Sequence, residues 1–188
     1  MKKYLLLSAI AMIVSIFSTN AQEAGKFRGG LDLGYAIPKG GGGIGAALEF
    51  KYNLKDNMNV GIRIEDAFMA KEVGEAEGSV SGNEAYLATF DYYFNKGTSS
   101  FAPFVGAGAG YYSLATIKVN DTDLGADTSG KFGGLLRAGF EYKKFRMAAS
   151  YNLVPSSKFE IGNQSISSSN GYFLITVGFY LGGGSWKK

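Results

Sequence analysis

Large apolar residues alternate with small or polar ones along this chain, segment after segment, eight times over. From Ile44 to Leu54, the residues Ile44, Ala46, Leu48, Phe50, Tyr52 and Leu54 share one side, and Gly45, Ala47, Glu49, Lys51 and Asn53 share the other. A period of two is the signature of a β-strand, because successive side chains leave opposite faces of a pleated backbone. The eight segments are 27–37, 44–54, 58–68, 84–94, 101–114, 132–142, 145–153 and 172–181. Most run to about ten to twelve residues, against about five or six for strands of soluble proteins. A strand of about ten residues, tilted by about 45°, crosses the hydrocarbon of a membrane.

Volume decides which face points inward. One face carries Phe27, Leu31, Leu33, Tyr35 and Ile37, then 44–54 as above, then Met58, Val60, Ile62 and Ile64. It continues through Tyr86, Phe90, Tyr92, Phe94, Leu136, Phe140, Tyr142, Phe145, Met147, Tyr151 and Leu153 to Phe173, Ile175, Val177, Phe179 and Leu181. The other face is Gly, Ala, Ser, Asn and scattered charges. The interior of an eight-stranded barrel is only just wide enough for side chains to fill, so the large set belongs outside. A soluble lipocalin-like barrel needs the reverse. Apolar outside and polar inside is the arrangement lipid requires. The expected fold is all-β, an eight-stranded antiparallel up-and-down transmembrane β-barrel.

The start of the chain agrees. Lys2 and Lys3 precede a charge-free apolar run from Leu5 to Phe17, and Thr19-Asn20-Ala21 places small residues at −3 and −1. This pattern predicts a signal peptide, 1–21, cleaved after Ala21. The run is shorter than the roughly 20 residues of a membrane helix, and no Cys follows it to carry a lipoprotein anchor. Cleavage takes 21 of the 188 residues, leaving 22–188 as one barrel domain. Two of the 19 Lys and Arg leave with it, so 17 face 16 Asp and Glu, and the balance gives no reason to expect a nucleic-acid partner. A mean hydropathy near zero fits, since alternation hides apolarity from an average. Glycine, at 28 residues, falls in phase with the alternation at Gly61, Gly106, Gly108, Gly110, Gly139 and Gly178, as a narrow barrel needs, while 40–43 reads as a turn.

Connections alternate in length. Those at 55–57, 95–100 and 143–144 are short; those at 69–83, 115–131 and 154–171 are long, and only the first odd-numbered one, at 38–43, is brief. Short periplasmic turns and long extracellular loops are the outer-membrane layout, which puts both termini in the periplasm. The long loops are polar. Lys71, Glu72, Glu75 and Glu77 lie in one, and Lys118, Asp121, Asp123, Asp127 and Lys131 in the next. Asp121, Asp123 and Asp127 lack the Gly and terminal Glu of a calcium loop and read as solvated carboxylates. The loop at 154–171, Ser-rich with Lys158 and Glu160, reads as a flexible surface loop.

Parity assigns ten charges to the lumen: Arg28, Lys51, Arg63, Arg137 and Arg146 against Asp32, Glu49, Glu65, Asp91 and Glu141. Buried charges are costly unless paired, and equal numbers permit mutual pairing. A salt-bridged plug is the expectation and an ion-selective constriction the alternative. Aromatics gather toward strand ends, at Tyr35, Phe50/Tyr52, Phe68, Tyr92/Phe94, Phe101, Tyr111/Tyr112, Tyr142, Phe145, Tyr151 and Phe179/Tyr180, as two interfacial girdles.

The chain has no His and no Cys. Ser/His/Asp and Cys/His catalysis and His- or Cys-based metal sites are therefore excluded. The glycines at 40–43 lack the Lys-Ser/Thr ending of a phosphate loop. No catalytic residue, cofactor or metal is expected, and an enzyme is not.

The leader to Ala21, the stretch Pro103-Phe104-Val105-Gly106-Ala107-Gly108-Ala109-Gly110-Tyr111-Tyr112 and the closing strand Gly171 to Leu181 resemble the small eight-stranded outer-membrane barrels. These are the OmpX- and OmpA-transmembrane-like group, and the broad outer membrane protein β-barrel domain family of Gram-negative bacteria. The resemblance implies partners in outer-membrane lipid and the assembly machinery, and roles in adhesion, defence, envelope integrity or narrow pores. Such barrels usually end on an aromatic residue. Here Phe179-Tyr180-Leu181 precedes Gly-Gly-Gly-Ser-Trp-Lys-Lys, so the assembly signal is either internal, around Gly178 to Leu181, or carried by Trp186. The leading functional expectation is a structural or surface-interaction barrel, with an extracellular ligand met by 69–83, 115–131 and 154–171; a small porin-like channel is the alternative.

Overall fold

The computed structural model describes residues 22–73, 77–95, 99–120, 123–161 and 164–184, with side chains at 71–80, 116–128 and 158–168 left aside. The leader at 1–21, Asp121 and Trp186 lie outside the described residues. Eight strands form the barrel: β1 (Phe27–Pro38), β2 (Gly41–Lys55), β3 (Met58–Val73), β4 (Glu77–Tyr93), β5 (Phe101–Asn120), β6 (Asp123–Tyr142), β7 (Phe145–Leu153) and β10 (Tyr172–Gly182). Between β7 and β10, β8 (Ser157–Ile161) and β9 (Gln164–Ser168) make a separate two-stranded sheet. Every barrel strand is antiparallel to its neighbours, and β1 pairs with both β2 and β10, so the sheet closes on itself.

Closure is staggered. From Tyr35 the register runs one way through Ile44, Phe68, Gly82 and Ala115 to Thr128 on β6. The other way it runs through Ile175 and Ala149 to Ala138 on the same strand. The two ends lie ten residues apart, which is the shear of the barrel. Ten rises of about 3.3 Å over eight spacings of about 4.8 Å tilt the strands about 40° from the axis.

The large apolar face points outward, as expected. Phe132 is 78% exposed, Ile44 67% and Phe50 65%, and this surface continues around the wall through Leu31, Ile62, Leu136, Ile175 and Val177. Water would not tolerate such a belt, and lipid requires it. The molecule is a transmembrane barrel.

Three features of the outer half differ from expectation. The turn expected at 40–43 is confined to Lys39-Gly40, because β2 already begins at Gly41 and pairs with β3 from there. The segments 69–83 and 115–131 are not loops: β3 runs to Val73 and β4 begins at Glu77, while β5 runs to Asn120 and β6 begins at Asp123. The segment 154–171, expected as a flexible loop, contains the β8–β9 hairpin. Beyond the lipid both faces of a strand meet water, so the large–small alternation fades while backbone pairing continues. With a tilt of about 40° each residue climbs about 2.5 Å, so the 20-residue β5 and β6 rise about 50 Å, twice the roughly 25 Å apolar band. The short turns are tight, at Asp56-Asn57 and at Lys143-Lys144, where Lys143 takes φ 55.

Candidate functional site

All ten charges assigned inward by parity are buried. Five strands bring the central group together. β2 supplies Glu49 and Lys51, β3 Arg63 and Glu65, β4 Asp91, β6 Arg137 and Glu141, and β7 Arg146. Glu49 is the hub. Arg137 grips it with two hydrogen bonds, Nη2 to Oε1 at 2.6 Å and Nη1 to Oε2 at 3.1 Å. The Thr89 and Tyr180 hydroxyls donate to its two oxygens at 2.7 Å each, and Arg63 Nη1 lies 3.4 Å from Oε2.

Each remaining carboxylate also has a cation. Asp91 pairs with Lys51, and it accepts from Arg137 Nε at 2.8 Å and Arg146 Nη2 at 3.4 Å. Arg63 reaches Asp32 at 2.6 Å and Glu65 at 2.8 Å. Glu65 also accepts from Tyr172 and Asn152, both at 2.9 Å. Arg28 Nη2 meets Glu141 at 2.7 Å, where Tyr93 donates at the same distance. Arg146 stacks its guanidinium 4.0 Å from the Phe104 ring centroid. Bidentate and charge-assisted bonds of this kind are the strong ones, and pairing offsets the cost of taking charge out of water.

The lumen is layered. On one side of the charges lie Leu87, Leu135, Leu174, Tyr112, Tyr172 and Met69; the other carries Tyr93, Phe104, Ala102 and Ala148. At the mouth nearest the termini, Arg28 Nη1 donates to Gln22 Oε1 at 3.1 Å, and Asn53 Nδ2 donates to the Glu23 and Gly183 carbonyls at 2.9 Å each. Three successive glycines with positive φ, Gly182, Gly183 and Gly184, turn the chain there after β10. Lys144 Nζ donates to the Gly182 carbonyl at 2.6 Å; partial burial, with Arg28 nearby, holds its ammonium below the usual lysine range.

Two sequence expectations about this interior need correction. Tyr112 and Tyr180, assigned to the girdles beside Tyr111 and Phe179, point into the lumen and are buried. Adjacent strand residues face opposite ways, so only one of each pair can meet lipid. The inner face is also bulkier than the small set expected, and glycine makes the room. Gly30 is the register partner of Tyr180, and a Cβ there would stand 2.5 Å from the Tyr180 ring. Gly178 lies between Asp32 and Arg146, and Gly106 between Asp91 and Arg137; a Cβ on either would collide with the carboxylate. Large opposite small across neighbouring strands is how a narrow barrel fills its taper.

The hydroxyl and amide partners Thr89, Tyr93, Asn152 and Tyr172 were not singled out from the sequence, though the parity that found the charges marks them, and Tyr180, too. Of the loop carboxylates, Asp121 lies outside the described residues, and only the backbone is described at Asp123 and Asp127. Lys131 Nζ donates to the Ser156 carbonyl at 2.6 Å.

No protein-family model matches the chain, and no curated protein does. Solved structures do. Neisserial surface protein A is similar at a TM-score of 0.55 and 10% identity, covering 84% of this chain and 97% of its own. The outer membrane protein OprG from Pseudomonas aeruginosa is similar at a TM-score of 0.54 and 16% identity, covering 86% and 98%. At these identities the likeness is one of fold. The chain has the fold of the small eight-stranded outer-membrane barrels.

Proposed function

We propose that this protein is an integral outer-membrane barrel whose lumen is sealed by paired charges and whose outer hairpins meet an extracellular ligand. The observation that carries the seal is the ten-charge network, in which five carboxylates each reach at least one of five cations. A through-path would have to break several of these pairs, and eight strands leave little lumen beyond the side chains. The contact surface is then what stands outside: 69–83, 115–131 and the β8–β9 hairpin within 154–171. The tight turns at Asp56-Asn57 and Lys143-Lys144 sit at the other end, with both termini, in the periplasm. The leader is removed after Ala21, and the barrel reaches the membrane through the outer-membrane assembly machinery. A chain without His or Cys, whose lumen carboxylates are all engaged by cations, is a binding or structural barrel and not an enzyme.

A narrow pore is the second reading. Polar atoms near the terminal mouth favour it: both amide atoms of Asn59, Asn53 Oδ1, Gln22 Nε2 and Glu141 Oε2 are buried with no hydrogen-bond partner among the described residues. Such atoms are where water would enter. Single-channel recording in planar bilayers separates the readings. The sealed lumen gives no unitary steps above the bare bilayer; reproducible steps would replace it with the pore. Location is tested by running the outer-membrane fraction on a gel cold and boiled, where a closed barrel shifts and a soluble protein does not.

A further inference from the structure

The barrel wall is uneven in height. β5 and β6 run 20 residues each, but β7 has nine and stops at Leu153, paired with Gly134. Beyond that point, residues 123–133 of β6 pair with β5 on one side and, among the described residues, with nothing on the other. An edge of that length presents a row of free backbone donors and acceptors.

The β6–β7 register, carried outward past Leu153, names the segment that fits this edge. It sets Lys131 opposite Ser156, Gly130 opposite Ser157, and Ala126 opposite Ile161, so β8 falls opposite the middle of the bare edge. The Lys131–Ser156 bond, at 2.6 Å, already joins the two at the first of these positions. The other arm agrees. β8 pairs with β9 as β7 pairs with β10, with a single residue shift between Tyr172↔Asn152 and Ser157↔Ser168. β8 and β9 are therefore broken-off continuations of β7 and β10. The break falls at Pro155, whose ring leaves no N–H for a ladder.

We propose that the free edge of β6 is the docking surface for this chain's own β8, which swings about 154–156 and 169–171 to complete the outer wall in the register of β7. One pair in that register opposes docking: Asp127 stands opposite Glu160. Like charges directly across a sheet repel, so the hairpin is poised between a docked and an undocked position, and neutralising Asp127 favours the docked one.

The chain has no cysteine, so disulfide trapping is clean. The full-length barrel, purified in detergent and reconstituted in lipid, carries Ser129→Cys with Lys158→Cys, an in-register pair. Its control is Ser129→Cys with Glu160→Cys, displaced by two residues, about 6.7 Å, which disulfide geometry does not span. A cold-versus-boiled gel first shows that each variant is a closed barrel. Mild oxidation should cross-link most of the first variant within one chain and little of the second. Adding Asp127→Asn should speed trapping of the first pair by roughly two- to fivefold. Equal trapping of both pairs, no trapping of the in-register pair, or a cross-link between two chains would each overturn the proposal, the last in favour of a second copy on the β6 edge.

Discussion

Removing the hub carboxylate is the sharpest test of the lumen. Glu49→Gln keeps the size of the side chain but removes its charge, leaving five cations to four anions. Arg137 loses its bidentate grip, at 2.6 and 3.1 Å, and an amide NH2 now faces the Tyr180 or Thr89 hydroxyl that donated to the carboxylate. Breaking one partner of a buried pair costs about 3–5 kcal/mol. Arg137→Met should cost a similar amount, since it strips cations from both Glu49 and Asp91. The double variant restores a balance of four against four. Its destabilisation should fall short of the sum of the singles by about 2–3 kcal/mol, the upper range for directly contacting residues. The assay is urea unfolding of the barrel in lipid vesicles, read by the fraction that still migrates as the compact form without boiling. Costs that add to within about 0.5 kcal/mol would refute the reasoning, because they would mean that each charge is separately hydrated and the lumen is wet.

Glycine opposite bulk predicts a sharp contrast. Gly106→Ala puts a Cβ into the Asp91 carboxylate and 2.8 Å from the Phe90 carbonyl, and overpacking should cost about 1–3 kcal/mol in the same unfolding assay; Gly82→Ala, which meets only the Phe68 ring at 3.8 Å, should stay within about 0.5 kcal/mol. Tyr180→Phe deletes the donor to Glu49 and the acceptor for Arg146, and should cost about 1–3 kcal/mol, whereas Tyr142→Phe on the lipid side should be near neutral; equal effects would return Tyr180 to the girdle. Ile62, 64% exposed midway along the lipid-facing stretch of β3, tests the membrane itself: Ile62→Arg should cost about 2–4 kcal/mol in vesicles, and a neutral result there would mean that the face sees water.

The inward set of ten charges was legible because parity is a local property. Once Ile44 to Leu54 is a strand, Glu49 and Lys51 share a face whatever the rest of the chain does, and the width of eight strands forces that face inward. The two tyrosines misplaced into the girdles, Tyr112 and Tyr180, show the limit of reading aromatics by their place along a strand when parity already decided their side. The outer hairpins were misread as loops for a different reason. Between Met69 and Val73, or Ala115 and Asn120, the chain has left the lipid, so one face is no longer selected for bulk, although the ladder of hydrogen bonds runs on.

Strand faces, the count of barrel strands, the lipid-facing belt and the balance of lumen charge are therefore determined by the sequence alone, through the two-residue period and the volume of the residues that follow it. Which cation meets which carboxylate is not. Arg137 and Glu49 are 88 residues apart and meet only because the strands close with a stagger of ten. Closure likewise sets Gly178 of β10 against Asp32 of β1, whereas the β4–β5 hairpin sets Gly106 against Asp91 and the shortness of β7 leaves β6 its bare edge. Pairing is a relation between strands, and only the closed sheet sets the register that decides it.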